Sequence, residues 1–306
     1  MLETLLTDTP VVEIENLSRH FRRGTALDDV SLTIERGGVH GLVGENGAGK
    51  TTLIKHLLGL FKAKAGTVRV FGLDPVLEPE AVLGRIGYLS EDRDLPGWMR
   101  ICDLMRYSAA FYPAWDPAYA EHLRDLFELD HLAKVKHLSR GELAKAGLLV
   151  ALAHRPEFLV LDEPSSGLDP IVRRDILAAV IRTVADEGRT VLFSSHLLEE
   201  VERVADRVTM ISRGKRVLNA SMEDVKESHH RYVVRAENGT TVLPALPGLL
   251  WSDGAAPEWT VLCTEGSEAV VRAAREGGLT VVEAETPSLE EIFVARAGAR
   301  PTKMED

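Results

Sequence analysis

Between Gly44 and Thr51 the chain reads Gly44-Glu45-Asn46-Gly47-Ala48-Gly49-Lys50-Thr51. Glycines at this spacing let several backbone N–H groups converge on one anion. Lys50 adds a mobile positive charge, and the Thr51 hydroxyl is a hard oxygen donor for a cation such as Mg2+. These are the parts of a phosphate-binding loop in which the lysine reaches the β- and γ-phosphates of a nucleotide. A short apolar strand, Val39-His40-Gly41-Leu42-Val43, feeds the loop, and a helical stretch from Thr52 to Leu60 leaves it. Strand before and helix after is the context the pattern requires.

A second point of chemistry lies downstream, where Phe158-Leu159-Val160-Leu161 runs into Asp162-Glu163. Two acids at a strand end are often only solvated. After a phosphate loop they suit a Mg2+-holding aspartate, Asp162, and an acid that polarises the attacking water, Glu163. Successive strand side chains diverge, so Glu163 can face a different partner from Asp162. Leu138-Ser139-Arg140-Gly141-Glu142 precedes an apolar helix. Ser139 and Glu142 have the spacing of a capping box. Such a helix N-terminus is also an anion site, and here it suits the γ-phosphate of a nucleotide held by a second subunit.

These residues need a frame. Val11 to Ile14, Val30 to Ile34, Val39 to Val43 and Thr67 to Gly72 read as strands. Phe158 to Leu161 and Thr190 to Phe193 are two more, joined by a helix that carries Ile176, Val180 and Val184 on one face and stops at Gly188. Strand, helix, strand in this order implies a parallel sheet with crossover helices. From Asp103 to Lys134 the period turns helical, with the stripe Leu123, Leu126, Phe127 and a break around Trp115. The predicted organisation is an α/β core domain over residues 11–220, with a helical subdomain inserted at about 92–150. A polar segment, 221–230, holds His229-His230 and reads as a solvated linker. Residues 231–297 read as a small C-terminal α+β domain. Its strands are at Tyr232-Val233-Val234, Trp259 to Leu262 and Val281-Val282, and its helix runs from a Ser267 N-cap to Gly277.

The composition sets limits. The chain has 306 residues, 45% hydrophobic and 27% charged, which is ordinary for a globular protein with a sizeable core. With 47 acidic and 36 basic side chains its formal charge is -11, which argues against broad nucleic-acid binding and against direct docking on an anionic membrane. Two cysteines, Cys102 and Cys263, have no motif around them and fit a reducing compartment as small buried hydrophobes. No signal peptide is read, and the longest apolar stretch, Ala146 to Ala153, falls far short of the ~20 residues that cross a bilayer.

Taken together the motifs resemble the ABC ATPase family over about residues 11–220. Leu138 to Glu142 is similar to that family's signature, usually Leu-Ser-Gly-Gly-Gln. Phe21 matches the aromatic that stacks on adenine, and Glu91 stands where a glutamine is expected. Ser166-Gly167-Leu168-Asp169 matches the D-loop and His196 the switch histidine. The tail Pro287-Ser288-Leu289-Glu290-Glu291-Ile292-Phe293, with Leu89 to Arg93 and Phe111 to Asp116, is similar to bacterial cassettes that serve ABC-2-type exporters.

The resemblance implies an ABC-type phosphate-loop ATPase fold and an ATP- and Mg2+-dependent homodimer that powers a membrane-spanning permease from the cytoplasmic face of the plasma membrane. Nucleotide contacts would come from Phe21, Gly44, Glu45, Asn46, Gly47, Ala48, Gly49, Lys50, Thr51 and Thr52, with Ser139, Gly141 and Asp169. Thr51, Asp162 and Glu91 would hold Mg2+, and Glu163 and His196 would carry the hydrolysis. Arg93-Asp94-Leu95-Pro96-Gly97-Trp98-Met99 is the expected docking segment for the permease, unless Trp98 packs inside the subdomain. Cassettes of this family also act in translation, in DNA repair and as nucleotide sensors. Translation factors carry two cassettes in one chain, repair ATPases insert a long coiled coil before the signature, and intact Glu163 and His196 disfavour a mere sensor. Glu91, Arg140 and Glu142 depart from the family pattern without removing Lys50, Asp162, Glu163 or His196.

Overall fold

A computed structural model describes residues 9–22, 24–237, 242–264 and 266–298; the side chains of Val180, of residues 182–187 and of Ser267 lie outside the described ones. The chain divides into two compact units, Met1–Arg216 and Val217–Asp306. The first opens with β1 (Val12–Phe21), β2 (Gly24–Ile34), β3 (Gly38–Val43), α1 (Lys50–Leu57) and β4 (Ala65–Val70). There follow α2 (Pro79–Leu83), β5 (Ile86–Leu89), α3 (Ile101–Ala109), α4 (Pro117–Leu126) and α5 (Arg140–Leu152). The unit then alternates β6 (Phe158–Asp162), α6 (Pro170–Glu187), β7 (Thr190–Ser195), α7 (Leu198–Val204), β8 (Arg207–Ser212) and β9 (Lys215–Ser221).

Two sheets result. An antiparallel one has the order β2-β1-β4, and a six-stranded one has the order β5-β6-β7-β3-β8-β9. In the latter β5, β6, β7, β3 and β8 run parallel. Every residue of β6 and β7 is buried, which explains the apolar runs Phe158–Leu161 and Val191–Phe193 within them. One cluster joins Leu53, Ile54 and Leu57 of α1 to Ile14 and Val30 of the antiparallel sheet and to Leu42, Phe158 and Leu192 of the parallel one. The helix that begins at Lys50 is therefore fixed from both sides.

The expected helical insertion is α3, α4 and α5. The break around Trp115 is a helix start: Asp116 accepts the Tyr119 N–H at 2.9 Å and Pro117 occupies the first turn. Leu123 and Phe127 are buried, but Leu126 is 40% exposed; it falls at the margin of the face that residues 123 and 127 share. Trp98 is 74% exposed while its neighbour Met99 is buried, so Trp98 does not pack inside the subdomain. Ile176 is buried as expected; the side chains of Val180 and Val184 lie outside the described ones.

The second unit contains α8 (Met222–Glu227), β10 (His230–Ala236), β11 (Leu249–Ala255), β12 (Glu258–Cys263), α9 (Ser267–Glu276), β13 (Leu279–Glu285) and α10 (Leu289–Ala297). Its antiparallel sheet has the order β11-β12-β10-β13, with Tyr232, Val234, Trp259, Val261 and Val270 in the core. The reading of 221–230 as a solvated linker is corrected. Ser221 caps α8 by accepting the Asp224 N–H, and Met222 and Val225 are buried. His229 is fully buried, its Nδ1 hydrogen-bonded to the Val225 carbonyl at 2.8 Å and its Nε2 accepting from Arg296 Nε at 2.9 Å. Two apolar anchors in one helical turn are too short a signal to separate from a polar background. β11 also escaped the sequence reading, because most of it is exposed and it lacks an apolar alternation. Helix α9 begins at Ser267 itself, with Gly266 as its cap. Cys263 is fully buried and Cys102 half-buried; both are free thiols. Among the described residues no helix is long and apolar enough to cross a membrane.

Phe158 lies at the centre of the cluster shared by the two sheets and is fully buried. Phe158→Ala is expected to destabilise the first unit by about 3–5 kcal/mol, measured as a lowered urea midpoint for the parallel sheet.

Candidate functional site

Strands β3, β6 and β7 end side by side. Asp162 pairs in register with Ser194, and Val43 with Ser195. The carboxyl ends of parallel strands are where an open α/β sheet presents its ligand crevice. Here they deliver the phosphate loop, the acid pair and His196 to one place.

The loop backbone requires its glycines. A Cβ on Gly44 would stand 2.2 Å from the Ile211 carbonyl oxygen, and one on Gly49, whose φ is +116°, 2.4 Å from that of Ala26. Lys50 turns back over the loop and is almost fully buried. Its ammonium donates to the Gly44 carbonyl at 2.6 Å and the Glu45 carbonyl at 3.3 Å, and it pairs with Glu163 Oε1 at 3.0 Å. Glu163 is equally buried, and its other oxygen, Oε2, meets His196 Nδ1 at 2.6 Å and accepts the His196 backbone N–H at 3.2 Å. A charge chain Lys50–Glu163–His196 thus joins the ends of all three strands.

Asp162 addresses different partners. The Ser194 hydroxyl donates to its Oδ1 at 2.7 Å, and Oδ2 is buried without a hydrogen-bond partner among the described residues. Burial pushes the Asp162 carboxyl above its ordinary range, opposed by the Ser194 and Thr51 hydroxyls; Glu163 raises it further and Lys50 lowers it. An orphaned carboxylate oxygen beside a threonine hydroxyl is an all-oxygen donor set that fits Mg2+. That ion takes one or two protein ligands and completes its shell with water and phosphate. No group of three or more His, Cys, Asp or Glu side chains with metal-binding geometry occurs among the described residues. The divergence of the two acids has a backbone cause: Glu163 sits at φ +49°, in the left-handed region, which turns it away from the strand direction.

The cleft in front of these groups has a volume of about 310 Å3 and is lined by residues 45–52, Glu91 and Glu163. The family described as ABC transporter matches residues 27–166. The ABC transporter ATP-binding protein YtrB of Bacillus subtilis (strain 168) is 28% identical over 293 residues, covering 95% of this chain and 99% of YtrB. YhcH of the same organism, an uncharacterized ABC transporter ATP-binding protein, is 31% identical over 299 residues, covering 94% and 96%. The chain belongs to the ABC transporter ATP-binding family. A solved ATP-binding subunit of an ABC transporter shares the fold with a TM-score of 0.65 at 27% identity, over 71% of this chain and 92% of that one. The protein is thus an ATP-hydrolysing ABC cassette with a phosphate-loop α/β fold.

The other expected site residues are placed as follows. In this cassette Asn46, Ala48 and Thr52 line the cleft with the loop glycines, and Glu91 stands on its wall. Phe21, at the end of β1, is 43% exposed and packs edge-on against Phe61 at 5.9 Å, with the Arg19 guanidinium over its ring. Ser139 and Glu142 form the capping box at the start of α5, with Ser139 N–H to Glu142 Oε2 at 2.8 Å and Glu142 N–H to Ser139 Oγ at 3.2 Å. Neither Ser139 nor Gly141 lines this chain's own cleft. Asp169 caps α6 through the backbone N–H groups of Ile171 and Val172.

Sequence reasoning missed Ser194 and Glu200. Ser194 supports both acids, since its hydroxyl and carbonyl oxygens also accept the Glu163 N–H, each at 3.1 Å. Glu200, buried on α7, accepts from Ser165 and Ser195 and pairs with Arg173 at 3.1 Å. A serine inside an apolar strand and a glutamate in an acidic run carry no spacing signal of their own.

Because the Ser194 hydroxyl favours the ionised form of Asp162, its removal raises the Asp162 pKa further. Ser194→Ala is therefore expected to lower the ATPase rate and move the acid limb of its pH profile to higher pH. An unshifted acid limb would show that this hydrogen bond does not govern the activity.

Proposed function

We propose that this cassette is the ATP-hydrolysing subunit of a membrane exporter, acting as a homodimer with a permease of ABC-2 type at the cytoplasmic face of the plasma membrane. The observation that carries the dimer is the incomplete cleft: the phosphate loop, Glu91 and Glu163 line it, whereas the capped N-terminus of α5 does not. In the proposed assembly Ser139 and Gly141 of a second copy close each cleft, bringing a helix N-terminus to the γ-phosphate. The similarity to ABC-2-type cassettes in the 287–293 tail supports the choice of permease. That tail begins α10 with the same kind of capping box, Ser288 with Glu291.

In this reading the loop N–H groups hold the phosphates, and Phe21 offers its exposed face to the adenine. Phosphate oxygens compete with Gly44 and Glu163 for the Lys50 ammonium, and their gain frees Glu163 Oε1. Asp162 and Thr51, with Glu91, would hold Mg2+, which when bound neutralises charge on the β- and γ-phosphates. Glu163 accepts a proton from water as the water oxygen bonds to the γ-phosphorus and the bond to the β-phosphate oxygen breaks, giving ADP and phosphate. His196 fixes the carboxylate through Oε2 and lies at the half-buried rim, where it can also meet the γ-phosphate. Hydrolysis removes the group that bridges the two copies, and the opening moves the permease.

Glu163→Gln keeps the shape and loses the base. It is expected to bind ATP normally, turn over at least about a hundredfold more slowly, and accumulate as a dimer in light scattering with ATP. Adding Ser139→Arg should abolish that dimer while leaving ATP affinity nearly unchanged; persistent dimers in the double variant would refute the shared site.

The exposed Trp98, in the segment that follows Glu91, is the proposed anchor for the permease, since aromatic side chains dominate interface energetics. Trp98→Ala should leave the isolated cassette folded and active but weaken permease assembly by about 2 kcal/mol. Unchanged pull-down would dismiss the anchor.

A further inference from the structure

Arg93 lies two residues past Glu91, at the start of the mixed-charge segment expected to dock the permease. It is nevertheless only 9% exposed, and its backbone is left-handed at φ +51°. Its Nη2 donates to two carbonyls, Pro164 at 3.0 Å and Ser166 at 2.8 Å. These carbonyls flank Ser165 in the turn that immediately follows Glu163. The turn's other backbone bonds, Ser166 N–H to the Glu163 carbonyl and Leu168 N–H to the Ser165 carbonyl, run within it, while the Ser165 hydroxyl ties its middle to Glu200 on α7 and Arg173 donates to the Leu168 carbonyl at its end. Among the described residues no other donor reaches the Pro164 or Ser166 carbonyl.

Burial holds the Arg93 guanidinium below its ordinary pKa; Glu91 opposes this and Arg140 adds to it. The Arg140 guanidinium reaches the far end of the same turn, with Nη1 3.6 Å from where a Cβ on Gly167 would be. Two cations therefore bracket a turn that carries no charge of its own. Holding a buried guanidinium against neutral carbonyls is a costly way to stabilise a fold. It is an effective way to set the position of two carbonyls at once, because the guanidinium is planar and its nitrogens are fixed relative to one another.

We infer that Arg93 is a positioning residue for ATP hydrolysis: it ties the segment after Glu91 to the 164–166 turn and so fixes the backbone from which Glu163 projects. Glu163 needs this support. Its left-handed backbone is strained, and its carboxylate must keep its place when Lys50 moves to a phosphate. The tie also makes the 93–98 segment and the catalytic glutamate one mechanical unit. The inference rests on the proposed role of Glu163 in hydrolysis and holds whatever binds at Trp98.

The test compares Arg93→Ala and Arg93→Lys in the full chain, by steady-state ATPase and by amide hydrogen exchange. Lysine can place one ammonium between the two carbonyls, whereas alanine leaves both unpaired. In Arg93→Ala kcat is expected to fall by about tenfold to a hundredfold, with the KM for ATP within about twofold of the parent because the phosphate loop is untouched. Exchange should rise in residues 165–168 and stay unchanged in α1. Arg93→Lys should recover most of the rate and the protection. The inference is overturned by a normal kcat in Arg93→Ala. It is equally overturned by exchange that rises in α1 as much as in the turn, or by a lysine variant no faster than alanine.

Discussion

The ion pair between Lys50 and Glu163 is the constraint around which the first unit is arranged. Two opposite charges 3.0 Å apart, each with only about a twentieth of its side chain exposed, are stable only if their remaining hydrogen-bonding groups are also met. The Gly44 and Glu45 carbonyls meet the ammonium, and His196 meets the carboxylate. Each partner comes from the end of a different strand, so the pair demands the neighbour order β6-β7-β3. That order cannot arise from consecutive strands; it needs crossover helices, which is why the sheet is parallel and covered.

The pair also explains the strain concentrated nearby. Gly49 and Glu163 both have positive φ, and so does Arg93, which braces the turn after Glu163. Strained backbone persists where the surroundings over-determine it. Here the surroundings are a rigid sheet, an α1 helix gripped by two sheets, and a serine that supports both acids. The strain is useful because it aims Asp162 and Glu163 at different tasks, one toward the Thr51 and Ser194 hydroxyls and the other toward Lys50 and His196.

One local device serves two regions of the chain. A serine that accepts the N–H three residues on, answered by a glutamate that accepts the serine N–H, starts both α5 and α10. At α10 it is a helix start over buried Ile292 and Phe293. Both capped ends are exposed, and the one at α5 is the face proposed to meet a partner's nucleotide.

The sequence by itself determined the elements whose chemistry is local. Residues 44–51 need glycine at set positions for steric reasons, the buried strands β6 and β7 carry the apolar runs Phe158–Leu161 and Val191–Phe193, and Ser139 and Glu142 cap by spacing alone. These signals lie within a few residues, so they survive without knowledge of the fold. What lies between distant segments was not legible. Nothing in the local sequence of Ser194, Glu200 or Arg93 says that they meet Asp162, Ser165 or Pro164, because those contacts exist only once strand order and crossovers bring the segments together. His229 reads as solvated among polar neighbours, yet it is buried because Arg296, far along the chain, packs against it. The chain fixes the chemistry each residue can perform; burial and partners are properties of the assembled sheet, and they decide which polar side chains become part of the site.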